Sequence, residues 1–209
     1  RGATARVRIH APAAAAEGEH HLAWVGPGGR SNDASFVIDS TPIHAGGREL
    51  RAPVSVNGIV RYREPEQFYF EAAANETLLF EVRAQRFGSP VDPVIRIFDA
   101  AGKRLAMNDD GKFAAVSFNK DPQLVHTFEQ PGRYRLELRN LWKVRGENVP
   151  YQLLVRRPRP EGGLEMATDT PYLYPGETAT LRLNAVRNEG YDGTIPIELA
   201  GLDARFRAG

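Results

Sequence analysis

The stretch "EQPGRYRLELRN", residues 129–140, decides the fold class. Its Pro131-Gly132 pair makes a turn, because Pro presets φ and Gly adopts conformations closed to other residues. Beyond the turn Tyr134, Leu136 and Leu138 alternate with Arg133, Arg135, Glu137 and Arg139. A period of two places the apolar set on one face of a strand and the charged set on the other. The first face needs a second layer to bury against, while the second stays wet; antiparallel sandwich strands have this pattern.

The same grammar extends outward. "VIRIFDAAGKRLAM", residues 94–107, reads as two strands around a turn in which Asp99 bonds local backbone and Gly102 takes positive φ. Alternation bounded by Gly, Pro, Asn or Asp predicts strands near 5–10, 19–25, 35–39, 54–60, 67–72, 78–86, 93–99, 103–108, 123–128, 133–139, 150–156, 164–168, 178–187, 194–199 and 203–207. Helical periodicity is nearly absent; "APAAAAEGEHH" and "FEAAANETLL" are short and broken by Gly, Pro or Asn. The expectation is an all-β chain of tandem β-sandwiches.

Two interruptions divide it. "DSTPIHAGGREL" (39–50) and "RRPRPEGG" (156–163) combine Pro, Gly and charge, and the second has no apolar residue to anchor a core. The predicted organisation is the C-terminal part of a small β module at 1–40, a linker at 41–49, a complete β-sandwich at 50–156, a linker at 157–163, and the N-terminal part of another module at 164–209. The middle unit, about 105 residues, is large enough for its own core. Both ends read as cut from a longer chain.

Composition narrows the function. Lys and Arg number 27 against 26 acids, and they are scattered through the sequence. A nucleic-acid footprint needs them clustered on one face beside aromatic platforms, so no nucleic-acid partner is expected. The absence of cysteine excludes disulfides and thiolate chemistry. No apolar run approaches the roughly 18 residues of a membrane span. No His-Glu-x-x-His or Gly-x-Ser-x-Gly occurs, and the five histidines are isolated apart from the adjacent His20 and His21. No catalytic residue is assigned, and the chain is read as no enzyme.

The middle unit resembles the bacterial pre-peptidase C-terminal (PPC) domain, an accessory β-sandwich of secreted peptidases and other exported proteins. The resemblance is carried in order by "VNGIV" (56–60), "EQFYFEAAANETLLFEVRAQRFGSPVDPVIRIFDAAGKRLAMNDD" (66–110), "DPQLVHTFEQPGRYRLEL" (121–138) and "YQLLV" (151–155). It covers about half the chain, and "GSPVDPVIRIFD" with the following "LAMNDD" is its most specific part. The segments before and after resemble partial immunoglobulin-like modules, on "GEHHLAWVGPGGRSNDASFVID" and on the Pro-Gly-Glu and Tyr-Asp-Gly turns of the C-terminal part. Planctomycete surface proteins use similar strings of modules. The resemblance implies a jelly-roll-like sandwich in an extracellular or cell-surface protein. Where family members carry Asp-rich residues before the "FYF" strand, this chain has Glu64, Glu66 and Gln67.

Acidic residues are the candidate site. Calcium takes six to eight oxygen ligands, and Asp92, Asp109, Asp110 and Asp121, with Asn108, supply them if the loops that carry them converge. An EF-hand does not apply, because counting from Asn108 puts Lys112 at the fifth position. The competing reading is turn chemistry: Asp and Asn side chains bond nearby backbone, and Asp92 and Asp121 both precede Pro. As an acid/base pair Asp109 and Asp110 diverge if the strand continues through them. Trp142, in "RNLWKVRGENVPY", is a candidate ligand contact for a sugar face, or equally a core cap or a contact to a neighbouring module.

These observations point to a non-catalytic adhesive or spacer region, stiffened by calcium, whose partners are neighbouring modules and polysaccharide, matrix or cell-surface protein. Two alternatives accompany it: a self-assembling subunit of a surface layer or filament, and a substrate-targeting appendage of a secreted hydrolase.

Overall fold

The computed structural model describes residues 8–62, 64–111, 120–141, 149–167, 172 and 174–198. In chain order these form β1 (Gly18–Leu22), β2 (Val25–Gly26), β3 (Gly29–Arg30), β4 (Ala34–Ile38), β5 (Glu49–Leu50), β6 (Val54–Ile59), β7 (Glu66–Ala72), β8 (Glu76–Arg83), β9 (Pro93–Phe98), β10 (Arg104–Asn108), β11 (Gln123–Phe128), β12 (Gly132–Asn140), β13 (Pro150–Arg156), β14 (Glu161–Met166) and β15 (Leu183–Asn188). A single 3-10 turn, Gln85–Phe87, follows β8.

The opening stretch becomes β12, between β7 and β9. Its register sets Tyr134 opposite Phe70, and Leu136 opposite both Phe68 and Ile97, so apolar rows align across three strands. Strand order β10-β9-β12-β7-β5 makes one sheet and β11-β8-β13-β6 the other. Side chains of both sheets share one core, in which Phe70 and Phe80 approach to 5.2 Å and Phe128 and Tyr134 to 4.4 Å between centroids. Burying each such ring contributes about 1.5–3 kcal/mol. Strands β5 to β13 therefore make a β-sandwich, as the alternation of the middle unit predicts, while β1-β4, β2-β3 and β14-β15 are two-stranded sheets in the flanks.

The turns also behave as their residues require. Tyr134 donates its hydroxyl to the Gln130 carbonyl at 2.5 Å, pinning the Pro-Gly corner to the strand it opens. Between β9 and β10, Gly102 has φ of 82° and Asp99 Oδ1 accepts from the Lys103 N–H at 2.8 Å. Both features match the reading of that turn.

Differences concentrate in the flanks. Of the strand expected at 5–10, only residues 8–10 are described and they are not in a strand; 194–198 are likewise outside strands, and 203–207 fall outside the described residues. The stretch at 41–49 pairs with the sandwich: Ser55 exchanges backbone bonds with Pro42 and His44, and Glu49–Leu50 runs parallel to β7. At the other side the strand expected from 164 starts at Glu161 and pairs with β15. Gly162 permits this, since a Cβ there would meet the Tyr191 ring at 2.5 Å. A segment without apolar side chains can still pair through its backbone and lie under a ring.

Candidate functional site

Asp121 stands just before β11 and is 0% exposed. A carboxylate so placed must be met by donors. The backbone N–H groups of Gln85 and Arg86 donate at 2.7 and 3.2 Å, and Arg86 Nε donates at 2.9 Å. Asp121 thus holds the 3-10 turn, and the Lys120 N–H returns a bond to Gln85 Oε1 at 3.0 Å. From there a chain of charge crosses the outward side of the four-stranded sheet: Arg86 Nη1 to Glu81 at 2.8 Å, Arg83 Nη2 to Glu81 at 3.1 Å, and Arg83 Nη1 to Asp39 at 3.1 Å. Burial would raise the Asp39 pKa, but hydrogen bonds from Thr41 and the charge of Arg83 outweigh it and hold the carboxyl below its ordinary value.

Asp92 is buried at the same end of the sandwich. Its N–H donates to Asn140 Oδ1 at 3.2 Å, its carbonyl accepts from Leu141, and its carboxylate lies 3.6 Å from Lys120 Nζ. The counter-charge there is an ammonium. Asp109 and Asp110 lie beyond the end of β10, exposed. Beside them the side-chain oxygen of Asn108 is buried with no hydrogen-bond partner among the described residues. Among the described residues no three His, Asp or Glu side chains are grouped to hold a metal. The four aspartates therefore do not form one set, and Asp121 in particular already accepts three hydrogen bonds from Gln85 and Arg86. Trp142 lies outside the described residues.

The outward side of the five-stranded sheet carries a different constellation. Arg139 Nε donates to Glu137 at 2.5 Å, Arg135 Nη1 lies 3.4 Å from the same carboxylate, and Arg96 Nη1 3.5 Å. Arg135 lies 4.1 Å over the Phe98 ring and Arg133 4.4 Å over Tyr69. This is a charged face, with its aromatic rings already covered by guanidinium groups.

No family model matches the chain, and no curated protein matches it. Among solved structures, the pre-peptidase C-terminal domain of a collagenase from Bacillus anthracis aligns with a TM-score of 0.40 and 11% identity, over 57% of this chain and 99% of that one. The secreted protein MopE of Methylococcus capsulatus, described as copper-binding through an oxidized tryptophan, aligns with a TM-score of 0.40 and 9% identity, over 57% of this chain and 90% of that one. No helix among the described residues is long and apolar enough to cross a membrane.

Sequence reasoning passed over Glu81, Arg83 and Arg86, and it put Glu137 on a wet face where the structure buries it among three arginines. The clue was present in "LLFEVR": a glutamate inside an apolar run is buried with the strand and so requires a cation. Which arginine answers it depends on pairing and loop geometry, which no local pattern carries.

Proposed function

We propose that this chain is a non-catalytic spacer and adhesive section of an exported, multi-module protein. One observation carries the reading: the middle of the outward side of the four-stranded sheet, on β8 and β13, is buried, although Val125 and Ile59 on its outer strands are exposed. Leu79 and Leu154 alternate with the core residues Leu78, Phe80, Leu153 and Val155, so they point away from the sandwich interior. Yet they are 0% and 1% exposed. The ion pairs on the same strands lead into both flanks, Arg83 to Asp39 and Arg156 to Glu189 at 2.6 Å. Glu189 also accepts from Arg156 Nη1 at 2.8 Å, closing a bidentate pair. Modules joined by a bare linker move freely by default; a covered apolar face bordered by ion pairs suits a section that holds its neighbours at set angles.

The PPC resemblance supports the exported context and an accessory role, with polysaccharide, matrix or cell-surface protein as partners. The test is co-sedimentation of the full chain with insoluble polysaccharides and fibrous matrix protein, with product analysis. Saturable binding without cleavage supports the reading; cleavage of a glycosidic or peptide bond, or failure to bind any of them, overturns it.

Calcium keeps a narrower place, carried by the unpartnered Asn108 oxygen beside Asp109 and Asp110. A ligand selective for the folded state raises stability in proportion to RT ln(1 + [L]/Kd). Millimolar calcium is expected to raise the thermal midpoint of the wild type but not of Asp109→Ala/Asp110→Ala. An equal response in the two proteins removes calcium from this loop.

A further inference from the structure

The sheet gathers charge that the sequence disperses. Arg96 on β9, Arg104 on β10 and Arg133, Arg135 and Arg139 on β12 fall on the outward side of the five-stranded sheet, alternating with buried Ile95, Ile97, Leu136 and Leu138. Glu49, Glu71 and Glu137 are the acids that oppose them on β5, β7 and β12. Glu137 is buried and has three guanidinium neighbours, more positive charge than one carboxylate neutralises. Arg96 Nε is a buried donor with no hydrogen-bond partner among the described residues. Arg133, paired with Glu49, and Arg139, paired with Glu137, still keep side-chain exposures of 55% and 43%, which leaves donors facing solvent.

Geometry sets the shape of the partner. Alternate residues on a strand stand about 6.8 Å apart and neighbouring strands about 4.8 Å, so Arg133 to Arg139 makes a row of roughly 20 Å with Arg96 alongside. Phe98 and Tyr69 brace Arg135 and Arg133, which lowers the cost of ordering these long side chains. The same contacts occupy the ring faces that a stacked nucleobase would need.

We propose that this face binds an extended polyanion whose charges are carboxylates: an acidic polysaccharide of the uronic-acid type, lying along β12. The proposal rests on the adhesive reading and names its ligand class. A guanidinium meets a carboxylate through two parallel N–H···O bonds, and a polyuronate offers one carboxylate on each sugar to a row of such forks.

The test titrates the full chain with polygalacturonate oligomers, neutral dextran oligomers and a single-stranded DNA oligomer, at low and physiological salt. Polygalacturonate is expected to bind and to weaken as salt rises. Arg133→Gln/Arg139→Gln should lower its affinity roughly tenfold or more, while Arg61→Gln/Arg157→Gln, on exposed arginines elsewhere, should leave it unchanged. Glu71→Gln, which adds to the positive surplus without removing a donor, should strengthen binding and keeps the test decisive if the double variant folds poorly. Equal loss in both double variants, no response to Glu71→Gln, or tighter binding of DNA than of polygalacturonate overturns the proposal. Polysaccharide binding that ignores all these substitutions removes this face and leaves the adhesive reading standing; binding to no polysaccharide and no matrix protein ends both.

Discussion

Replacing Asp121 by Asn separates a structural carboxylate from a metal ligand. In the folded chain this side chain accepts two backbone N–H groups of the 3-10 turn and the Arg86 guanidinium, all out of water. Asn keeps one oxygen for the turn but loses the charge and presents its amide hydrogens toward donors. Breaking a buried ion pair from one side costs about 3–5 kcal/mol, and a hydrogen bond to a charged group is worth about 1.5–3 kcal/mol. Glu81 still pairs with Arg86 at 2.8 Å, which favours the lower end, about 3 kcal/mol. For a domain near 100 residues each kcal/mol shifts the midpoint by roughly 4–8 °C, so a drop of about 12 °C or more is expected. The assay is a thermal melt of the full chain in EDTA and again in millimolar calcium, followed by circular dichroism. The drop should be the same in both, and Arg86→Met should cost less in the Asp121→Asn background than in the wild type, since the two share one interaction. A loss present only in calcium, or a shift below about 1 °C, refutes the reasoning.

Two further outcomes follow from the same contacts. Gly58→Ala should destabilise the sandwich by about 1–3 kcal/mol, because a Cβ there meets Tyr151 Cζ and its hydroxyl oxygen at 2.6 Å each; Tyr151→Phe should not fully relieve it, since the ring carbon still obstructs, and a denaturant series on the wild type, both single variants and the double variant checks both statements. On acidification stability should fall in two windows. Burial lowers the His126 pKa, only partly opposed by Glu129, so from about pH 6.5 downward the unfolded chain takes a proton that the folded one resists. Below the ordinary carboxylate range the stabilisation contributed by Asp39 is lost as well. His126→Gln should erase the first window and Asp39→Asn should shrink the second, in midpoints recorded across pH.

The strands were legible because alternation is a local consequence of burying one face. β11 and β13 coincide with the stretches that alternation marks, and Gly102 and Asp99 build the turn their chemistry prescribes. The acids were less legible. Asp121 before Pro122 looks like a turn opener, while its partner Gln85 is 36 residues away in sequence. Nothing local distinguishes an acid that holds a remote turn from one that awaits a cation. The arginine row was hidden for a related reason: Arg96 and Glu137 become neighbours only through the β9–β12 register. Charge that is scattered along the chain was therefore read as scattered in space. In the flanks the strands at 161–166 and 183–188 pair through backbone and make room for Tyr191, features to which an apolar-anchor criterion is blind.

Small-angle X-ray scattering of the full chain tests most directly whether this is a section that fixes the angles of its neighbours. The account predicts a profile fitted by one arrangement of the segments, shifting to a broader, larger distribution when Arg156→Met and Asp39→Asn remove the ion pairs that tie the flanks to the sandwich. A wild-type profile that already requires freely moving segments, unchanged in the double variant, would contradict it.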